Sequence, residues 1–155
     1  MRNNPKIIKI VVNMGIGNLA RDKDSLNKAS QELAQITGQK PAVRNARISV
    51  AGFNLRKGMP VGLMITMRGK KAYNFLTKVA KIVLPRLRDF KGVRKIGFDA
   101  SGNYTLGIAD YSVFPEVDVA KSDKQKGLEI TIVNDAGNPE KAKALLESLG
   151  VPFEK

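Results

Sequence analysis

The stretch Val61–Arg68 constrains the fold more than any other. Val61, Leu63, Ile65 and Met67 fall on one side of an extended chain, and Gly62, Met64, Thr66 and Arg68 on the other. Alternation at period two marks a strand, because successive side chains point to opposite faces. One side is wholly apolar; the other mixes glycine, methionine, a hydroxyl and a cation. Lys6–Met14 repeats the arrangement, with Ile8, Ile10, Val12 and Met14 expected on the core side and Lys9, Val11 and Asn13 opposite. Strands of a parallel sheet are buried on both faces and read as continuous apolar runs. Two half-polar strands therefore point to an antiparallel sheet that helices cover on one face only.

Other segments supply that cover. Leu26, Ala29, Leu33 and Ile36 recur at helical spacing within Asp24–Thr37, with Asp22 or Asp24 as cap and Gly38 placed to close the helix. Ala72–Leu84 reads as a second helix with Phe75, Leu76, Val79, Ile82 and Val83 inward, and Pro85 ends or kinks it. Asn138-Pro139-Glu140 opens a third, with Ala142, Leu145, Leu146 and Leu149 as its buried stripe. Ala42–Arg47, Tyr104–Ile108 and Leu128–Val133 are further extended pieces, Ile48–Pro60 a long hairpin-like loop, and Gly97–Gly127 turn-rich. The expected fold class is α+β, a mostly antiparallel sheet with helices on one face and the other open, in a single domain spanning residues 1–155.

Charge tells what the open face is for. Gln39–Lys95 holds fifteen Lys and Arg against one acid, Asp89, whereas the remaining residues carry twelve basic groups against thirteen acids. The formal charge of +13 thus resides in one segment. A solvated face is the plain reading of a short basic run. An excess over a whole segment, interleaved with Gly, Met and β-branched residues, instead points to a polyanion, and so to nucleic acid. With no His and no Cys the chain lacks the commonest general base, thiolate metal ligands and disulfides. No apolar run approaches the roughly 18 residues of a membrane span, and the N-terminus lacks a secretory core. The composition fits a cytoplasmic protein with no cofactor, no metal, no membrane and no small-molecule substrate.

Three features could carry function. Gly15-Ile16-Gly17-Asn18-Leu19-Ala20 lies between a strand and a helix with the spacing of a dinucleotide-binding turn. No acid ends the next strand, where a ribose hydroxyl would need an acceptor, and Arg44 and Arg47 stand there instead. A plain glycine turn competes with a dinucleotide-dependent enzyme using Gly15, Gly17 and Ala20. Second, Asn13 and Thr66 project from the mixed faces of two strands and Gln39 follows a helix, near Lys9, Lys40 and Arg68. On neighbouring strands these would gather neutral donors and acceptors for sugars and bases beside cations for phosphates; ordinary strand polarity is the alternative. Third, Phe53, Arg56 and Lys57 in the long loop could reach a nucleic-acid backbone and stack, or pack down locally. The carboxylates Asp99, Asp110, Glu116 and Asp118 have no ordered ligand spacing.

Lys9-Ile10-Val11-Val12-Asn13-Met14-Gly15-Ile16-Gly17, Thr37-Gly38-Gln39-Lys40-Pro41, Arg56-Lys57-Gly58-Met59-Pro60-Val61-Gly62, Leu84-Pro85-Arg86-Leu87-Arg88-Asp89-Phe90, Gly102-Asn103-Tyr104 and Phe114-Pro115-Glu116 occur in that order. Together they strongly resemble the family of bacterial-type large-subunit ribosomal protein number five, the 5S rRNA binder of the central protuberance. The resemblance implies a curved sheet whose concave side holds 5S rRNA, among other large-subunit rRNA. It implies that Asn13, Gln39 and Thr66 hydrogen-bond the RNA, with Lys9, Lys40, Arg44, Arg47 and Arg68 beside them. It also implies a loop with Ser49, Phe53, Asn54, Arg56 and Lys57 that reaches toward the peptidyl-site tRNA. A region after Phe90 is expected to face the small subunit and its protein numbered thirteen. The resemblance places the protein in a ribosome, cytoplasmic or organellar. Two departures stand out. The family usually begins with a further helix, and it commonly has Phe-Asp-Gly-Arg-Gly-Asn-Tyr where this chain has Phe98-Asp99-Ala100-Ser101-Gly102-Asn103-Tyr104. An Arg is missing there, and with it any contact that this one side chain makes across the subunit boundary in the family.

Overall fold

The middle of the molecule is β1 (Ile7–Gly15), which is paired antiparallel on both sides, with β3 (Pro60–Met67) and with β5 (Leu128–Asn134). Beyond β3 lies β2 (Ala42–Asn45) and beyond β5 lies β4 (Tyr104–Ile108), also antiparallel, giving one open sheet in the order β2-β3-β1-β5-β4. This computed structural model describes residues 4–15, 23–45, 57–58, 60–87, 90–109, 113–117 and 127–154. The α+β class read from the sequence is the observed one. Three helices join the sheet: α1 (Lys23–Thr37), α2 (Lys70–Lys78) and α3 (Pro139–Ser148).

Alternation sorts the strands cleanly. Ile10, Val12 and Met14 of β1, Leu63, Ile65 and Met67 of β3, and Leu128, Ile130 and Ile132 of β5 are buried. They form one apolar cluster with Ala29, Leu33 and Ile36 of α1, Phe75 and Leu76 of α2, and Leu146 of α3. All three helices therefore cover the same face. Residues of the alternate set (Lys9, Val11, Asn13, Met64, Thr66, Thr131) are only partly buried.

Two expectations fail for the same kind of reason, a local change of period. Ile8 is 48% exposed while Ile7 is buried. The register slips between Ile7 and Lys9, where β1 carries one residue more than β5. Such a bulge inverts the alternation on one side of it, so Ile7 takes the inward place and Ile8 turns out. The Ile7 N–H donates to Tyr73 Oη at 3.0 Å, tying the bulge to α2. The second case is Ile82, which is 46% exposed. The helix widens after Lys78 into a π turn over Val79–Val83, closed by the Leu84 N–H on Val79 O, and then tightens into a 3-10 turn at Leu84–Arg86 holding Pro85. The extra residue per turn rotates Ile82 outward and brings Val83 and Leu84 into the core.

Helix ends follow ordinary chemistry. Asn138 caps α3, its side-chain oxygen accepting from the Lys141 N–H at 2.9 Å, with Pro139 just inside. Gly38, at φ 75°, closes α1 with its N–H on Ala34 O. Lys78 bridges two layers. Its ammonium donates to Ile36 O at the end of α1 and to Glu116 Oε1 at 2.8 Å, and it lies over the stacked rings of Phe75 and Phe114. Lys78→Met should therefore leave the Ile36 carbonyl and Glu116 unsatisfied and lower stability by about 1–3 kcal/mol, read as a fall in the urea midpoint without change of slope.

Candidate nucleic-acid interface

Register turns the open face into rows. In one row Ala42, Met64, Asn13, Glu129 and Gly107 stand opposite one another across all five strands. The next carries Thr66, Val11, Thr131 and Thr105, and on the other side of the first lie Arg44, Gly62 and Gly15. Asn13 and Thr66 are thus diagonal neighbours on adjacent strands, about 7–8 Å apart in a regular antiparallel pair. Lys9 and Arg68 flank the Ile10–Met67 pair at the end of the same two strands. The Gly15–Gly62 pair leaves one corner bare of side chains, beside the exposed Arg44.

Gln39 joins this cluster through the backbone. Its Nε2 donates to Thr66 O at 2.9 Å, beyond the last β2–β3 pair, and so extends the sheet edge where β2 has ended. The Gly38 turn aims it there, and the Thr37 hydroxyl accepts from the Gln39 N–H at 3.3 Å. Gln39, Thr66 and Asn13 are therefore brought together, with Lys40 exposed next in the chain. One amide N–H of Gln39 is engaged by the fold, so this residue holds the platform as well as lining it.

Glu129, Thr131 and Thr105 were missed as members of this surface. The period-two pattern of Leu128–Val133 already placed Glu129 and Thr131 on one side; only the pairing of β5 with β1 showed that this is the side of Asn13. The Thr131 and Thr105 hydroxyl oxygens lie 3.4 Å apart. Glu129 is exposed between Asn13 and Gly107, a carboxyl group suited to amino or hydroxyl donors rather than phosphate.

The remaining candidates divide. Arg47, Ser49, Phe53, Asn54 and Arg56 lie outside the described residues, as do Gly17 and Ala20 of the glycine turn and the carboxylates Asp110 and Asp118. Lys57 is exposed at a turn. Glu116 is paired with Lys78. Asp99 is occupied with its own turn: Oδ1 accepts from the Ser101 and Asn103 N–H groups at 2.9 Å, and the Asn103 N–H above all holds the carboxyl below its ordinary pKa. Gly102-Asn103-Tyr104 is also structural. Gly102, at φ 92°, abuts Asn138 O, where a Cβ would approach to 2.7 Å. Asn103 Oδ1 accepts from the Asn134 N–H, and the buried Tyr104 phenol, its pKa raised by that burial, donates to Arg94 O at 2.7 Å. Among the described residues no cluster of His, Cys, Asp or Glu could hold a metal.

A dinucleotide-binding turn needs a parallel strand–helix–strand unit with adjacent strands. Here β1 has antiparallel partners on both sides, and β3 intervenes between β1 and β2. The glycine turn thus lacks the frame on which that chemistry depends.

Residues 60–153 match the family model described as the ribosomal L5P family C-terminus, and residues 1–56 match the model for ribosomal protein L5. The chain belongs to the ribosomal protein L5 family. Over 151 residues, 97% of this chain, it is 52% identical to the large ribosomal subunit protein uL5 of Syntrophotalea carbinolica, covering 82% of that protein. It is 50% identical over the same share to the uL5 protein of Dehalococcoides mccartyi, covering 84% of it. Membership makes the chain a structural, non-enzymatic constituent of the large ribosomal subunit, associated with rRNA and working in translation; in bacteria the family's ribosome is cytoplasmic. The dinucleotide-dependent enzyme is thereby set aside.

The dual position of Gln39 is testable without RNA. Gln39→Ala should cost about 1 kcal/mol of stability through the lost bond to Thr66 O, and Gln39→Glu, which sets oxygen against oxygen, at least as much. Urea unfolding of the two variants reads both.

Proposed function

We propose that the open sheet face binds 5S rRNA in the central protuberance, with Asn13, Thr66 and Gln39 selecting the site and Lys9, Lys40, Arg44, Arg47 and Arg68 neutralising phosphates. The observation that carries this reading is the diagonal pairing of Asn13 and Thr66 on a face that the helices leave uncovered. Neutral side chains on such a platform can read base edges and 2′-hydroxyls, while cations at its rim supply affinity without sequence preference. Glu129 adds an acceptor for base amino groups, and the bare Gly15–Gly62 corner lets a sugar-phosphate chain approach the backbone. β1, matched with the first family segment, is the central strand of the sheet that the second segment completes, which supports reading residues 1–155 as one RNA-binding domain.

In the same reading the segment with Ser49, Phe53, Asn54, Arg56 and Lys57 reaches the peptidyl-site tRNA, and the region after Phe90 faces the small-subunit protein numbered thirteen. The basic excess of Gln39–Lys95 suits the first role.

Asn13→Ala and Thr66→Ala should each weaken 5S rRNA binding by about 1–3 kcal/mol at fixed salt without lowering stability, because each leaves a polar partner on the RNA unsatisfied. Wild-type affinity should fall linearly in log–log form as salt rises. Wild-type-like binding by both variants would remove the polar face from the interface. Arg56→Ala combined with Lys57→Ala should leave binding of isolated 5S rRNA intact and weaken tRNA contact in assembled ribosomes; loss of 5S rRNA binding instead would move the loop into the rRNA interface.

A further inference from the structure

We infer that the outer edge of β4, with the apolar groove beside it, is a docking site for an extended acidic protein segment that adds a strand to the sheet. The argument begins with the ladder. Thr105 donates its N–H away from β5, to Gly97 O at 3.1 Å. Outward and inward residues alternate along an antiparallel strand, so both backbone polar groups of Gly107 also point outward. Gly97 covers the edge only at Thr105, and among the described residues nothing pairs with Gly107. Exposed edges are commonly blunted by proline, a bulge or a charged side chain. Thr105-Leu106-Gly107 has none of these, and no atom of the described residues lies within 4 Å of where a Gly107 Cβ would be.

A groove of about 460 Å³ runs along this edge, lined by Leu87, Phe90, Arg94, Ile96, Leu106 and Gly107 among others. Its volume falls within the range that takes a bulky side chain or small ligand. Ile96 is 75% exposed, the most exposed large hydrophobic residue described. Arg94 lines the groove, and Arg86, Lys91 and Lys95 adjoin lining residues in the chain; all four are exposed and in no ion pair among the described residues, while the Glu154 carboxylate accepts from the Lys95 backbone N–H at 3.3 Å. An added strand would use the free ladder groups for affinity, place one large apolar side chain over Ile96 and Leu87, and carry acids to meet the four cations. RNA would engage the cations but leaves the apolar groove and the ladder unused, which is why the occupant is a protein segment. This inference does not rest on the rRNA reading, since β2 and β3 with their cations lie on the other side of β1.

The test uses the full chain and a fluorescein-labelled peptide, Asp-Glu-Val-Phe-Val-Glu-Asp, with Lys-Arg-Val-Phe-Val-Arg-Lys as its charge-reversed counterpart, read by anisotropy beside 5S rRNA binding. The acidic peptide should bind at least tenfold more tightly than the basic one. Gly107→Pro, which removes the outward N–H without touching the β5 ladder, should weaken it tenfold or more. Ile96→Glu should do the same, and because Ile96 is exposed that variant folds even if Gly107→Pro does not. Ile96→Glu should bind 5S rRNA as the wild type does. Absence of peptide binding, equal affinity for the two peptides, or indifference to both substitutions would overturn the proposal. So would loss of rRNA binding in Ile96→Glu, which would give the groove to RNA. A wild-type chain that takes the peptide but not 5S rRNA would contradict the rRNA reading alone.

Discussion

A sheet whose strands are apolar on one side only can bury only that side, and the rest of this molecule answers to that constraint. β1 sits in the middle with antiparallel partners left and right, so one register fixes the inward set Ile10, Val12 and Met14 and, with it, the outward set Lys9, Val11 and Asn13. A one-residue slip would drive the whole apolar set to the wrong face. Three helices share a single cluster beneath the sheet, and the partly exposed Lys78 joins α1, α2 and the Phe114 segment. The opposite side carries none of the three described helices, and the proposed rRNA contacts lie there.

Much of this was legible in the chain. Period two in Lys6–Met14 and Val61–Arg68 gave the strands, their mixed second faces gave the open sheet, and Asn138-Pro139 gave the start of α3. Ile8 and Ile82 were misplaced because each lies beside a change of period, a bulge in one case and a π turn in the other. Nothing in the local pattern announces either; the hydrogen bonds from Ile7 to Tyr73 and from Leu84 to Val79 maintain them. Asn13 and Thr66 could be assigned to half-polar faces from the sequence, but their being diagonal neighbours depends on strand order, which alternation does not specify. For the same reason Glu129 and Thr131 remained out of view until β5 was found beside β1.

Several motifs that make the family recognisable turn out to serve the scaffold. Gly102-Asn103-Tyr104 locks a turn to the end of β5, and Thr37-Gly38-Gln39 carries an amide to the carbonyl of Thr66. Gln39 shows that a residue can hold the platform and line it at once, so its substitution must be read for stability before affinity. The cations, by contrast, require little geometry. In the proposed complex, exposed Lys and Arg at the rim would act through screened attraction, whereas neutral groups in the middle rows would act through direct bonds.

Hydroxyl-radical footprinting of the protein, free and bound to 5S rRNA, tests the open face most directly. Met64 stands in the central row opposite Asn13 and is partly accessible, whereas Met14 and Met67 are buried beneath the sheet. The account predicts that RNA suppresses oxidation of Met64, together with modification at Val11 and Val133, and leaves the outer faces of α1 and α3 unchanged. Protection of those helices with Met64 still oxidised at the free rate would contradict it.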